Sequence, residues 1–105
     1  MFAVIYRATI KTGSEENYKK AWQVVAEYFI KCQGAFGSCL HKSENGVWVA
    51  YSRWPDRQTR DASWGDHVDQ SAFPPEIIHA VQVIKDCIEE HYPDICMDVE
   101  CDLLR

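Results

Sequence analysis

The chain has 105 residues, of which 47% are hydrophobic and 26% charged, and a net charge of −5 at neutral pH. That length supports one domain, and the apolar fraction together with 12% aromatic residues excludes an intrinsically disordered chain. The acidic balance repels phosphate backbones, which argues against nucleic acid as a partner. No apolar run approaches the ~18 residues of a membrane span, and Met1 to Arg7 reads as a strand rather than a leader because it lacks a basic start. Cys32, Cys39, Cys87, Cys96 and Cys101 are odd in number and form no CxxC pair. Small buried apolar side chains in a reduced, cytoplasmic protein are the expected role of these cysteines.

Residues 2–10, rich in Phe, Val, Ile, Tyr and Thr, predict a first strand. Thr12 and Glu15 have the spacing of a capping box. Tyr18, Trp22, Val25, Phe29 and Cys32 then recur on one helical face, which Gly34 ends. Residues 36–43 and 46–54 predict a hairpin around Asn45-Gly46, a pair suited to a type I′ turn. In its second strand Val47, Val49, Tyr51 and Arg53 point one way, and Trp48, Ala50, Ser52 and Trp54 the other. Large rings on both faces imply that both meet something apolar.

Pro55-Asp56 breaks that strand, and Asp56 caps a short helix running to about Trp64. Residues 65–75 read as irregular, a connector or a lid. Glu76 to His91 predicts a second long helix with Ile77, Val81, Ile84 and Ile88 inward, stopped by Pro93. Ile95, Met97, Val99, Cys101 and Leu103 alternate with polar residues as a last, half-buried strand.

Strand–helix–strand–strand–helix–strand is the ferredoxin-like, split βαβ order, an α+β fold with a four-stranded antiparallel sheet and helices on one face. The other face would be bare, and an apolar bare face of a few hundred Å² marks an interface or a ligand site. The strand ending Tyr51-Ser52-Arg53-Trp54, the break at Pro55-Asp56, the short helix and a second tryptophan at Trp64 resemble the antibiotic biosynthesis monooxygenase superfamily. The matching order of elements extends that resemblance over nearly the whole chain as a single domain, 1–105. It implies a dimeric α+β barrel: a homodimer whose sheets face each other, with a small cavity between each sheet and its own helices. It also implies oxidation of a small aromatic or quinol with no flavin, metal or other cofactor, the deprotonated substrate itself giving electrons to oxygen. In the haem-degrading branch an Asn stands on the first strand and a His on the later helical segment; here those places hold Tyr6 and Arg7, and Ala72-Phe73-Pro74-Pro75, which disfavours haem.

Under this resemblance His67, Trp64 and Arg53 are the expected catalytic residues, and Trp54, Tyr51 and Tyr6 the expected substrate-binding ones. The two tryptophans offer flat rings for an aromatic ligand, and equally suit plain packing. Histidine is the side chain best suited to act as a general base near neutral pH, and the setting of His67 between Asp66 and Asp69 equally suits a solvated histidine. Arg53 can hold an oxyanion or, on a dimer-facing strand, make an interface ion pair with aspartates of the last strand. Tyr6 and His41 join a cavity only if their strand faces turn inward, whereas His79 and His91 read as structural. Asp66, His67 and Asp69 crowd together with no fourth ligand, so no metal is expected. The alternative function is a non-catalytic dimeric barrel that binds a small ligand in a stress or regulatory role.

Overall fold

The computed structural model describes residues 1–65 and 67–104. The elements are β1 (Phe2–Ile10), α1 (Glu15–Cys32), β2 (Gly37–Lys42), β3 (Trp48–Trp54), α2 (Arg57–Ser63), one 3-10 turn at Gln70–Ala72, α3 (Pro75–Cys87) and β4 (Ile88–Asp98). The sheet is antiparallel throughout, in the order β2-β3-β1-β4. This is the expected ferredoxin-like α+β fold.

Pairing fixes which side chains share a face. Phe2↔Trp54, Val4↔Ser52, Tyr6↔Ala50 and Ala8↔Trp48 line the inner face, under the helices. Ala3↔Arg53, Ile5↔Tyr51 and Arg7↔Val49 line the outer one. Asp56 caps α2 as expected, accepting the Thr59 N–H at 2.7 Å. Pro75 opens α3 at its first position, where the missing N–H costs nothing.

Four local expectations are corrected. The Thr12–Glu15 capping box does not form: Ser14 is the N-cap, with no side-chain cap bond, and its amide donates to the Lys11 carbonyl at 2.9 Å. The hairpin turn is not type I′, since Asn45 keeps a negative φ and Gly46 alone, at 85°, is left-handed. Ser43 N–H instead bonds the Val47 carbonyl at 2.8 Å and closes a three-residue loop. The second long helix stops at Cys87 rather than His91, and β4 begins at the next residue. Ladder pairing with β1 over its whole length, from Ile10↔Ile88 to Phe2↔Asp98, outweighs the helical period there. The last strand ends at Asp98, and 99–104 carries no regular structure.

Pro93 therefore lies inside a strand. It is tolerated because β4 is an edge strand and because the register slips beside it. Between the pairs Ile5↔Ile95 and Arg7↔Tyr92, the single residue Tyr6 faces two residues, Pro93 and Asp94.

The interior is built as three apolar clusters. Ala8, Ile10, Trp48, Tyr18 and Cys87 close one end of the sheet, and Phe2, Val4, Trp54 and Ala35 the other. Ala21, Val25, Phe73, Ile77, Ala80 and Val81 join α1 to α3 above the sheet. On β3 the inward residues read Trp48, Ala50, Ser52, Trp54. The two tryptophans prop the helices up at either end, while alanine and serine leave the middle unfilled. That large–small–small–large sequence is the physical origin of the cavity.

Candidate functional site

A cavity of about 720 Å³ lies between the inner sheet face and the helices, within the usual ligand-site range of roughly 300–1,000 Å³. Three rings form one wall. Phe29 of α1 packs 5.9 Å from Trp54 and 5.6 Å from Trp64, and Trp64 in turn lies parallel to Phe73 at 6.5 Å. Gly65, at φ 139°, turns the chain directly after Trp64. A Cβ there would stand 2.7 Å from the His67 ring, so a larger residue would displace the histidine. His67 borders the cavity and is otherwise exposed. Its Nε2 contacts the Asp61 carbonyl. A carbonyl only accepts, so Nε2 carries the proton and the neutral ring keeps Nδ1 as its basic atom.

The polar part of the lining is organised around Arg60, which is only 8% exposed. Its Nε donates to Tyr6 Oη at 3.3 Å, its Nη1 to Asp61 at 3.1 Å and its Nη2 to Asp94 at 3.1 Å. The guanidinium carbon also lies 5.8 Å from the centre of the Tyr6 ring. Burial works against the charge, and the bonds to Tyr6 and Asp61 more than offset it, so Arg60 stays a cation. Burial likewise pushes the Tyr6 hydroxyl above its ordinary range, although Arg60 pulls the other way, so at neutral pH Tyr6 is a neutral phenol with a proton to give. His91 Nε2 lies 3.8 Å from Asp94 in the same part of the lining.

The cavity thus brings together Tyr6, Trp54, Trp64 and His67. It does not include Tyr51 or Arg53, which point from the outer face. Arg53 pairs with Asp102 of the chain's own tail and reaches Met1 Sδ at 2.9 Å. The ion pair expected across an interface is instead made within one chain, with an aspartate beyond the end of β4. His41 also faces outward, opposite Val49, and contacts its carbonyl at 3.2 Å. His91, read as a helix-end residue, is on β4 and borders the cavity. Of the Asp66, His67 and Asp69 group, Asp66 lies outside the described residues; among those described, no group of three or more His, Cys, Asp or Glu is placed to hold a metal.

Arg60 and Asp94 were not singled out from the sequence. Arg60 stands among the polar residues of a short helix, and nothing local shows that it is buried. Asp94 reaches it only through the bulge of a strand 34 positions later.

No protein-family model matches the chain, and no curated protein is similar to it in sequence. Solved structures resemble it in fold. One assigned as an antibiotic biosynthesis monooxygenase from Nitrosomonas europaea superposes with a TM-score of 0.72 at 17% identity, covering 96% of this chain and 100% of that one. SnoaB, a cofactor-independent oxygenase from Streptomyces nogalater, superposes with a TM-score of 0.70 at 10% identity, covering 99% of this chain and 97% of that one. The chain has the antibiotic biosynthesis monooxygenase fold. The resemblance drawn from Tyr51 to Trp64 and from the element order therefore holds for the fold, over nearly the whole chain.

Proposed function

We propose that this antibiotic biosynthesis monooxygenase-like chain binds a small aromatic molecule in its inner cavity and oxidises it with dioxygen, the substrate itself supplying the electrons. The observation that carries this reading is the cavity itself, walled by Phe29, Trp54 and Trp64 and lined also by buried, ionic Arg60. Flat rings suit a flat ligand. A fixed cation already aimed at the site stabilises a developing anion without the reorganisation that water needs. His67 Nδ1 is the base that removes a hydroxyl proton, after which the electron-rich anion reduces oxygen directly.

The same reading includes a homodimer formed through the outer sheet face. The described chain exposes 6737 Å², against roughly 6,000 Å² for a monomer of this mass. Ile5, Val49 and Tyr51 are only half covered there, Ile95 is exposed, and the Arg7 and Arg53 Nε atoms are buried without a hydrogen-bond partner. A second copy would supply cover, as the barrel arrangement requires. Among the described residues no helix is long and apolar enough to cross a membrane. All five thiols are unpaired, which fits a cytoplasmic setting. Only Cys87 is buried, however; Cys32, Cys39, Cys96 and Cys101 are exposed, so packing as small core residues holds for Cys87 alone.

Oxygen uptake with a dihydroxynaphthalene tests the catalytic claim. The protein should raise the rate above that of buffer, and His67→Ala should lower the gain about 100-fold, the usual worth of a positioned base. Trp64→Phe should lower it less. Ring binding without accelerated uptake would reject catalysis and leave the ligand-binding barrel.

A further inference from the structure

The β4 bulge is spent on one residue. Opposite Tyr6 the edge strand carries two residues, Pro93 and Asp94, where regular pairing would place one. A bulge beside a site re-aims a side chain, and here Asp94 is turned onto Arg60 at 3.1 Å. Asp61, from α2 itself, holds the other arm of the same guanidinium at 3.1 Å. Two carboxylates therefore fix the plane of Arg60, and its remaining Nε–H is directed at Tyr6 Oη. The Tyr6 oxygen accepts that bond, and the Ser52 hydroxyl is a second hydrogen-bonding neighbour of the same phenol. Tyr6 borders the cavity from the middle of the sheet, beside the small residues Ala50 and Ser52.

We propose that Tyr6 Oη–H, set by Arg60 and the Asp94 bulge, is the donor that receives the ligand's oxygen, and that it selects aromatic ligands bound as their phenolate or enolate anions. This rests on the cavity reading above and adds to it the polar half of the recognition. The donor strengthens when its oxygen accepts from a cation, since hydrogen bonds in a chain polarise one another. A bond from such a donor to an anion exceeds one to a neutral ether, because charge-assisted bonds are about twice as strong. Arg60 acts here through Tyr6 and is a positioning residue, and Asp94 positions Arg60 in turn.

The probe is 4-nitrophenol, whose anion absorbs in the visible, with 4-nitroanisole as the same ring unable to ionise. Titrated in the presence of excess protein, bound nitrophenol should ionise at least one pH unit below its value in water, a tenfold preference for the anion. Tyr6→Phe should abolish that shift while changing nitroanisole affinity less than twofold. Arg60→Gln should remove most of the shift, and Arg60→Lys should keep part of it. Because the anisole reports an intact cavity, a collapsed variant is recognised and set aside in favour of its partner. Equal shifts in wild type, Tyr6→Phe and Arg60→Gln, with anisole still bound, would overturn the proposal and leave the cavity reading standing. Failure of wild type to bind either ring would overturn both.

Discussion

Trp54→Ala should cost about 3–5 kcal/mol of folding stability, the range for deleting a buried large aromatic side chain. Trp54 is 1% exposed, closes one end of the sheet against Phe2 and Val4, stands 5.9 Å from Phe29 and donates its indole N–H to Ser52 Oγ at 3.1 Å. Its removal takes away the ring, the support that holds α1 off the sheet and the donor that satisfies Ser52. Domains of this size have about 5–15 kcal/mol in total, so the variant should lie near the edge of folding. Thermal melting followed by circular dichroism should show the midpoint falling roughly 15–25 °C. A drop of only a few degrees would mean that Trp54 is not the pillar described above. Trp54→Phe should lose much less, since it keeps most of the apolar contact.

Tyr51→Glu should separate the two copies of the proposed homodimer. Tyr51 lies on the outer sheet face, paired with Ile5 on one side and Cys39 on the other. In a monomer the new carboxylate would meet water and cost little. Across a two-fold interface it would be buried twice, once from each copy, and a buried unpaired charge is expensive. Dissociation should strengthen by about a thousandfold, which corresponds to roughly 4 kcal/mol. Light scattering at micromolar concentration should read about twice the 12.1 kDa chain mass for wild type and the single chain mass for the variant. Wild-type protein at the single mass would contradict the dimer.

The parts of the fold that were legible in the sequence are those governed by local period. Alternation along Trp48–Trp54 assigned both faces of β3 correctly, and the Trp48-Ala50-Ser52-Trp54 face contains the cavity in outline once it is known to face the helices. Asp56 marked the start of α2 because capping needs only three neighbouring residues. What was missed depends on pairing between distant segments. Ile88 to Asp94 looked like the tail of a helix and a proline stop, and became strand because β1 offered it a ladder. The same bulge delivers Asp94 to Arg60, so the ionic part of the site is not legible without the tertiary fold. Tyr51 and Arg53 were grouped with Trp54 by proximity in sequence, although alternation already set them on the other face.

The central claim is that an aromatic ligand occupies the space between the sheet and its own helices. Ala50 lies at the floor of that space, paired with Tyr6 and 5% exposed, and Ala50→Trp would fill much of it from below. Calorimetric titration with 2-naphthol should give one site per chain in wild type and an affinity at least tenfold lower in Ala50→Trp. Equal affinity in the two proteins would place the ligand elsewhere and contradict the account.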